Sequence, residues 1–98
     1  MPRLLTSEEI GRQLEKLPGW LLVEEKSIST SYELADFAAA LAFVNQVGAE
    51  AEEMNHHPDI DIRWNKVTLV LSTHSEGGLT QLDIELAHRI ADLYLTAR

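Results

Sequence analysis

The chain has 98 residues and a mass of 11.0 kDa, within the usual range of one domain. Hydrophobic residues make up 45% and charged residues 24%, which argues against disorder, and with no cysteine neither disulfides nor a thiolate metal site can supplement a modest core. A net charge of -8, with no run of Lys and Arg to offset it, makes nucleic acid and anionic membranes poor partners.

The longest near-continuous apolar run, 34–44, is interrupted by Asp36 and falls short of the roughly 20 residues a bilayer requires. The start Met1-Pro2-Arg3-Leu4-Leu5 turns polar at Thr6, so no signal-peptide core is expected and the cytoplasm is the default compartment. Oligomerisation is the available route to extra burial.

A short helix is expected over 7–17. Thr6 suits the N-cap, Glu9 completes a capping box, and Leu5 with Ile10 can form a hydrophobic staple. Ile10, Leu14 and Leu17 recur at helical spacing, and Pro18-Gly19 ends the run. Two strands, 20–24 and 27–32, follow as a hairpin with a turn near Glu25-Lys26. A long helix is predicted over 34–54. Phe37, Leu41 and Val44 lie along one stripe, and Ala39, Ala40, Phe43 and Val47 lie around the side. One apolar stripe suffices for packing on a sheet, so the second points to a contact with another subunit.

Asn55-His56-His57-Pro58 reads as a loop, since Pro58 disfavours helix at His57. In the next strand Ile60, Ile62 and Trp64 alternate with Asp59, Asp61 and Arg63. Asn65-Lys66 is read as the turn into a strand over 67–73. Residues 75–78 read as a flexible loop. The last helix, 81–96, has Thr80 and Asp83 as a capping pair and Leu82, Leu86, Ile90 and Leu93 as its stripe. The order α-β-β-α-β-β-α, with hairpins and no parallel crossover, predicts an α+β fold: a single domain over 1–98 with a four-stranded antiparallel sheet and helices covering one face.

Three of the four histidines fall near one place. If the last two strands pair around Asn65-Lys66, His57 and His74 stand equidistant from the turn, hence at the same end of the sheet, with His56 beside them. Free imidazole titrates near about 6.5, so such a cluster suits proton transfer near neutral pH. Zinc on three imidazoles is the rival chemistry, but the helical His-x-x-x-His spacing is missing and adjacent histidines diverge as co-ligands. His88 is placed on the polar side of the last helix, away from the cluster. Each remaining candidate has a plain structural alternative: Asp83 as a helix cap, Glu52 as part of a solvated tail, Trp20 and Trp64 as packing residues.

Glu52, four residues before His56-His57-Pro58, then Trp64, His74 and Asp83 resemble the pattern of the pterin-4a-carbinolamine dehydratase family. Leu17-Pro18-Gly19-Trp20, Asn65-Lys66-Val67 and Leu71-Ser72-Thr73-His74 resemble it too, so the likeness covers nearly the whole chain. It implies dehydration of 4a-hydroxytetrahydrobiopterin, or a bacterial relative, to quinonoid dihydropterin, in recycling the pterin that aromatic amino-acid hydroxylases use. It further implies that His56 and His74 are the acid/base pair, that His57 binds pterin, that Glu52 and Asp83 orient imidazoles, and that Trp20 shapes the pocket. No cofactor and no metal are implied. Members form homodimers and homotetramers with the long helix in the tetramer contact. Vertebrate members also stabilise dimers of a homeodomain transcription factor, so a non-enzymatic interaction module is the alternative reading.

Overall fold

A computed structural model describes residues 2–98. The element order is α1 (Ser7–Leu14), β1 (Leu21–Val23), β2 (Ser27–Glu33), α2 (Phe37–Met54), β3 (Asp59–Arg63), β4 (Lys66–Leu71), a 3-10 turn (His74–Glu76) and α3 (Gln81–Ala97). All strand pairs are antiparallel, in the spatial order β1-β2-β4-β3. The expected α+β architecture is therefore present. No helix is long and apolar enough to cross a membrane among the described residues.

The α1 cap forms as its sequence requires. The Glu9 N–H donates to Thr6 Oγ1 at 3.1 Å, and the Thr6 N–H donates to Glu9 Oε1 at 2.9 Å. Arg3 grips the same carboxylate with two bonds of 3.0 and 2.9 Å. The helix ends at Leu14 rather than residue 17. Pro18 disfavours the α conformation at Leu17, and the chain tightens into three-residue bonds from Lys16 to Gln13 and from Leu17 to Leu14. Just ahead of α1, Leu4 bridges Thr80, and the Leu5 N–H donates to the Leu79 carbonyl at 2.9 Å.

The long helix begins three residues later than its apolar run suggests. Asp36 is the N-cap, accepting from the Ala39 N–H at 2.8 Å. Leu34 is held outside the helix: its N–H donates to the Asn65 carbonyl and its carbonyl accepts from Asn65 Nδ2, each at 2.9 Å. That grip also moves the β3–β4 turn. Asn65 serves as a turn residue beside Trp64, whose φ is +51°, and Arg63 pairs with Lys66. The turn is Trp64-Asn65, not Asn65-Lys66, and Trp64 is an exposed tip residue rather than part of the strand. Extended along β3 and β4, this register sets His57 level with Ser72. His74 lies two residues further on, at the same end of the sheet.

The core occupies one face of the sheet. Ile28, Val67, Leu69 and Leu71 meet Ala40, Phe43, Val47 and Ala51 of α2 and Ile84, Leu86, Ala87 and Ile90 of α3, and all these side chains are buried. The inward stripe of α2 is thus the one containing Phe43, while Phe37 and Leu41 remain 46% and 41% exposed. On the opposite face Ser29, Ser31, Thr68, Val70, Asp59 and Asp61 carry no helix. Tyr32 and Tyr94 stack with centroids 4.2 Å apart and close the core beside Phe43.

Two outcomes are expected. Phe43→Ala should lose about 3–5 kcal/mol in urea unfolding, against under about 1 kcal/mol for Phe37→Ala in the dissociated chain; equal losses would mean the stripes are assigned the wrong way round. Separately, Arg3 first and the Thr6 N–H second lower the Glu9 carboxyl to about 2. Its contribution to α1 is therefore present above the ordinary carboxylate pKa and lost as pH falls toward 2. An NMR titration should place the Glu9 midpoint near 2, and Arg3→Ala should move it up toward the ordinary range.

Candidate active site

The end of α2 delivers two histidines in succession. Asn55 takes the left-handed conformation at φ 51° and ψ 45°, which Asn tolerates better than most residues. The His56 N–H donates to the Ala51 carbonyl at 3.0 Å and the Asn55 N–H to the Glu52 carbonyl at 3.2 Å, the bond pair of a Schellman cap. The chain is thereby turned at a fixed angle, and Pro58 keeps it extended into β3.

His56 turns inward and His57 outward. His56 is 8% exposed, and its Nε2 lies 2.6 Å from Oδ1 of Asp83, which is completely buried. The other Asp83 oxygen, Oδ2, accepts from the Thr80 N–H at 2.9 Å and from Thr73 Oγ1 at 2.8 Å. Thr73 Oγ1 and Thr80 Oγ1 are themselves 2.8 Å apart. Asp83 is thus both things the sequence allowed: one oxygen caps α3 and the other holds an imidazole. His57 pairs with Glu52 through Nε2 and Oε2 at 2.5 Å, in an exposed setting.

With Asp83 ionised, His56 Nε2 is a donor, and Nδ1 is the nitrogen left to exchange a proton. The same reasoning leaves Nδ1 of His57 free. Among the described residues, no protein group hydrogen-bonds the His74 ring. His74 opens the 3-10 turn, which is ordered rather than loose. The Thr73 carbonyl accepts from the N–H groups of Glu76 and Gly77 at 3.0 Å each, and the Thr73 N–H donates to the Gly78 carbonyl at 2.8 Å. Gly77 sits at φ +75°, where a side chain would be strained.

His74 faces a recess of about 320 Å³ whose walls include Lys26, Ser27, Asp59 and Ser72. The Ser72 hydroxyl donates to the Lys26 carbonyl at 2.9 Å, tying the β1–β2 turn to this wall. A larger recess of about 580 Å³ lies between α1 and the start of α3, beside Arg3, Arg12 and Lys16, and none of the histidines lines it. Among the described residues no three His, Asp or Glu side chains are grouped as a metal ligand set.

Of the residues singled out from sequence, His56 and Asp83 meet, His57 and Glu52 meet, and His74 begins one residue from Thr73, which bonds Asp83. Trp20 is 4% exposed in the core, lines neither recess, and has an Nε1 without a partner among the described residues. Trp64 is at the far tip of the β3–β4 hairpin. His88 is part-exposed on α3 beside Arg89, which collects Glu50, Glu53 and Glu85. The sequence reading gave no site role to Thr73, quoted only within Leu71-Ser72-Thr73-His74, or to Lys26, read as a turn residue. The expected strand over 67–73 ends at Leu71, so Thr73 caps the 3-10 turn, a place its residue type does not announce, and the pairing of Lys26 with Ser72 depends on how β2 and β4 register.

The chain as a whole is similar to known proteins. A family described as pterin 4 alpha carbinolamine dehydratase matches residues 3–93. A protein of Chloroflexus aurantiacus, provisionally named pterin-4-alpha-carbinolamine dehydratase, is 50% identical over 93 residues, covering 95% of this chain and 98% of its own. A protein of Herpetosiphon aurantiacus with the same provisional name is 45% identical over 95 residues, covering 97% and 98%. The crystal structure of a transcriptional coactivator/pterin dehydratase from Brucella melitensis superimposes with a TM-score of 0.90 at 35% identity, covering 94% of this chain and 99% of that one. A pterin dehydratase-like protein described as a RuBisCO assembly factor of the alpha-carboxysome shares the fold at a TM-score of 0.66 and 20% identity, covering 78% and 89%. The buried His56–Asp83 pair and the three histidines gathered at one end of the sheet thus stand in a chain that belongs to the pterin-4a-carbinolamine dehydratase family.

Proposed function

We propose that this chain dehydrates a 4a-hydroxytetrahydropterin to the quinonoid dihydropterin by histidine acid/base chemistry, without metal or cofactor. The observation that carries the reading is the 2.6 Å contact between His56 and a fully buried Asp83. In the reaction the C4a–O bond breaks, the hydroxyl leaves as water after taking a proton, N5 loses its proton, and a C4a=N5 double bond forms. One acid and one base suffice, and their protons balance. His56 suits the base: a proton arriving on Nδ1 makes an imidazolium that Asp83 stabilises. His74, free in its recess, suits the acid beside the leaving hydroxyl. His57, exposed and oriented by Glu52, suits binding of the pterin. Trp20, buried and lining neither recess, would act only through the packing of the core.

The physiological setting belongs to the same proposal: cytoplasmic tetrahydropterin recycling, coupled to an aromatic amino-acid hydroxylase, by a homodimer or homotetramer. The second reading, a protein-interaction module, draws on one observation. The superimposable Brucella melitensis protein is described as a coactivator as well as a dehydratase.

A dehydration assay on freshly generated carbinolamine decides between them; a rate no higher than buffer would leave the interaction module. Activity should survive exhaustive chelation. His56→Gln, which keeps a donor toward Asp83, and His74→Ala should each lower kcat by about 10²- to 10⁴-fold, and the double variant should lose far more. His57→Ala should act through KM, and His88→Ala should change neither constant. A double variant that folds and turns over like the wild type would sink the mechanism.

The outer stripe of α2 supports the oligomer. Phe43 is core, so a charge there tests folding rather than assembly. Phe37→Glu or Leu41→Glu should instead shift sedimentation toward 11.0 kDa, because each would place an unpaired charge in the contact. A wild type that sediments as that monomer at micromolar concentration rules the assembly out.

A further inference from the structure

Thr73 bonds the carboxylate that holds His56 and is the chain neighbour of His74, and nothing about its residue type announces it. Its side chain is 5% exposed and donates to Asp83 Oδ2 at 2.8 Å, while Asp83 Oδ1 holds His56. Its backbone carries the turn on which His74 stands, through the bonds from Glu76 and Gly77 to its carbonyl and from its own N–H to Gly78. Thr80, fully buried, completes a set of four polar residues that are all buried, with Asp83 and Thr80 wholly out of contact with solvent.

We propose that Thr73 is a positioning residue: its hydroxyl fixes the rotation of the Asp83 carboxylate, and thereby keeps His56 protonated on Nε2 with Nδ1 turned to the reacting proton, in a set relation to His74. A carboxylate can rotate about its Cβ–Cγ bond. The Thr80 N–H alone constrains one contact on Oδ2, and the Thr73 hydroxyl adds a second from a different segment, the two-residue link between β4 and the 3-10 turn. Two donors from two segments hold Oδ1 in the line of His56 Nε2. Without the Thr73 donor the carboxylate turns toward Thr80, the bond to His56 lengthens, and the neutral imidazole is free to exchange tautomers. The wrong tautomer presents N–H where a base is needed, so the loss falls on kcat rather than on substrate binding. This rests on the dehydratase reading for its kinetic part only.

The test pairs spectroscopy with kinetics. Thr73→Val keeps the branched shape and the backbone bonds while deleting the hydroxyl; Thr73→Ser keeps the hydroxyl. Ring-nitrogen NMR of histidine-labelled protein should show His56 in the wild type as the Nε2–H tautomer. Thr73→Val should show averaging between tautomers, and Thr73→Ser should restore the wild-type pattern. In the assay Thr73→Val should lose about 10- to 100-fold in kcat with KM within about twofold, and Thr73→Ser should recover most of it. If Thr73→Val does not fold, Thr73→Ala removes the same hydroxyl without a buried branch and is read in the same way. A folded hydroxyl-free variant with an unchanged His56 tautomer overturns the proposal, as does one with unchanged kcat in an active wild type. If the wild type has no dehydratase activity, the functional reading falls and the tautomer measurement alone decides the role of Thr73.

Discussion

Asp83 is a carboxylate without access to water, and its two oxygens are divided between holding the fold and building the site. Burying an ion costs on the order of several kcal/mol even after relaxation, and removing one partner of such a buried pair typically costs about 3–5 kcal/mol. The position is therefore tolerable only because His56, Thr73 and the Thr80 N–H all converge on it. Those partners come from the end of α2, the link after β4 and the start of α3. A single side chain thus joins the three elements whose ends make the site, and the orientation of His56 depends on the helix cap of α3.

That double use explains what could and could not be read from the chain. The α1 cap, the inward-facing strand residues of β4 and the gathering of His56, His57 and His74 at one sheet end were all legible, because each follows from local period or spacing. The start of α2 was not. An apolar run from Leu34 looks helical until Asn65, distant in sequence, claims both backbone groups of Leu34. The same contact shifts the β3–β4 turn by one position. Asp83 left two local explanations open, and only tertiary structure shows that one carboxylate satisfies both. Thr73 was invisible for a related reason: its importance lies in what its neighbours bring, not in its own type.

The fold by itself says less than the constellation does. The RuBisCO assembly factor shares the architecture at low identity, and architecture is compatible with unrelated roles. What sets the candidate site apart from the scaffold is the set of polar atoms around His56 and the His74 ring, which no group among the described residues hydrogen-bonds, beside its recess. The second apolar stripe of α2 and the exposed edge residues Leu21, Leu22 and Val23 show where the scaffold retains apolar surface.

The bridge from Leu4 to Thr80 has a temporal meaning. These residues are separated by most of the sequence, so the segment ahead of α1 meets the head of α3 only after everything between them has been synthesised. His56 emerges well before its partner Asp83, and α2 with the β1–β2 hairpin can collapse while the imidazole still lacks its anchor. Contacts of such long sequence separation form late, after loop closure has been offset by other burial. The His56–Asp83 contact itself closes across 27 positions of sequence, a span that holds both β3 and β4.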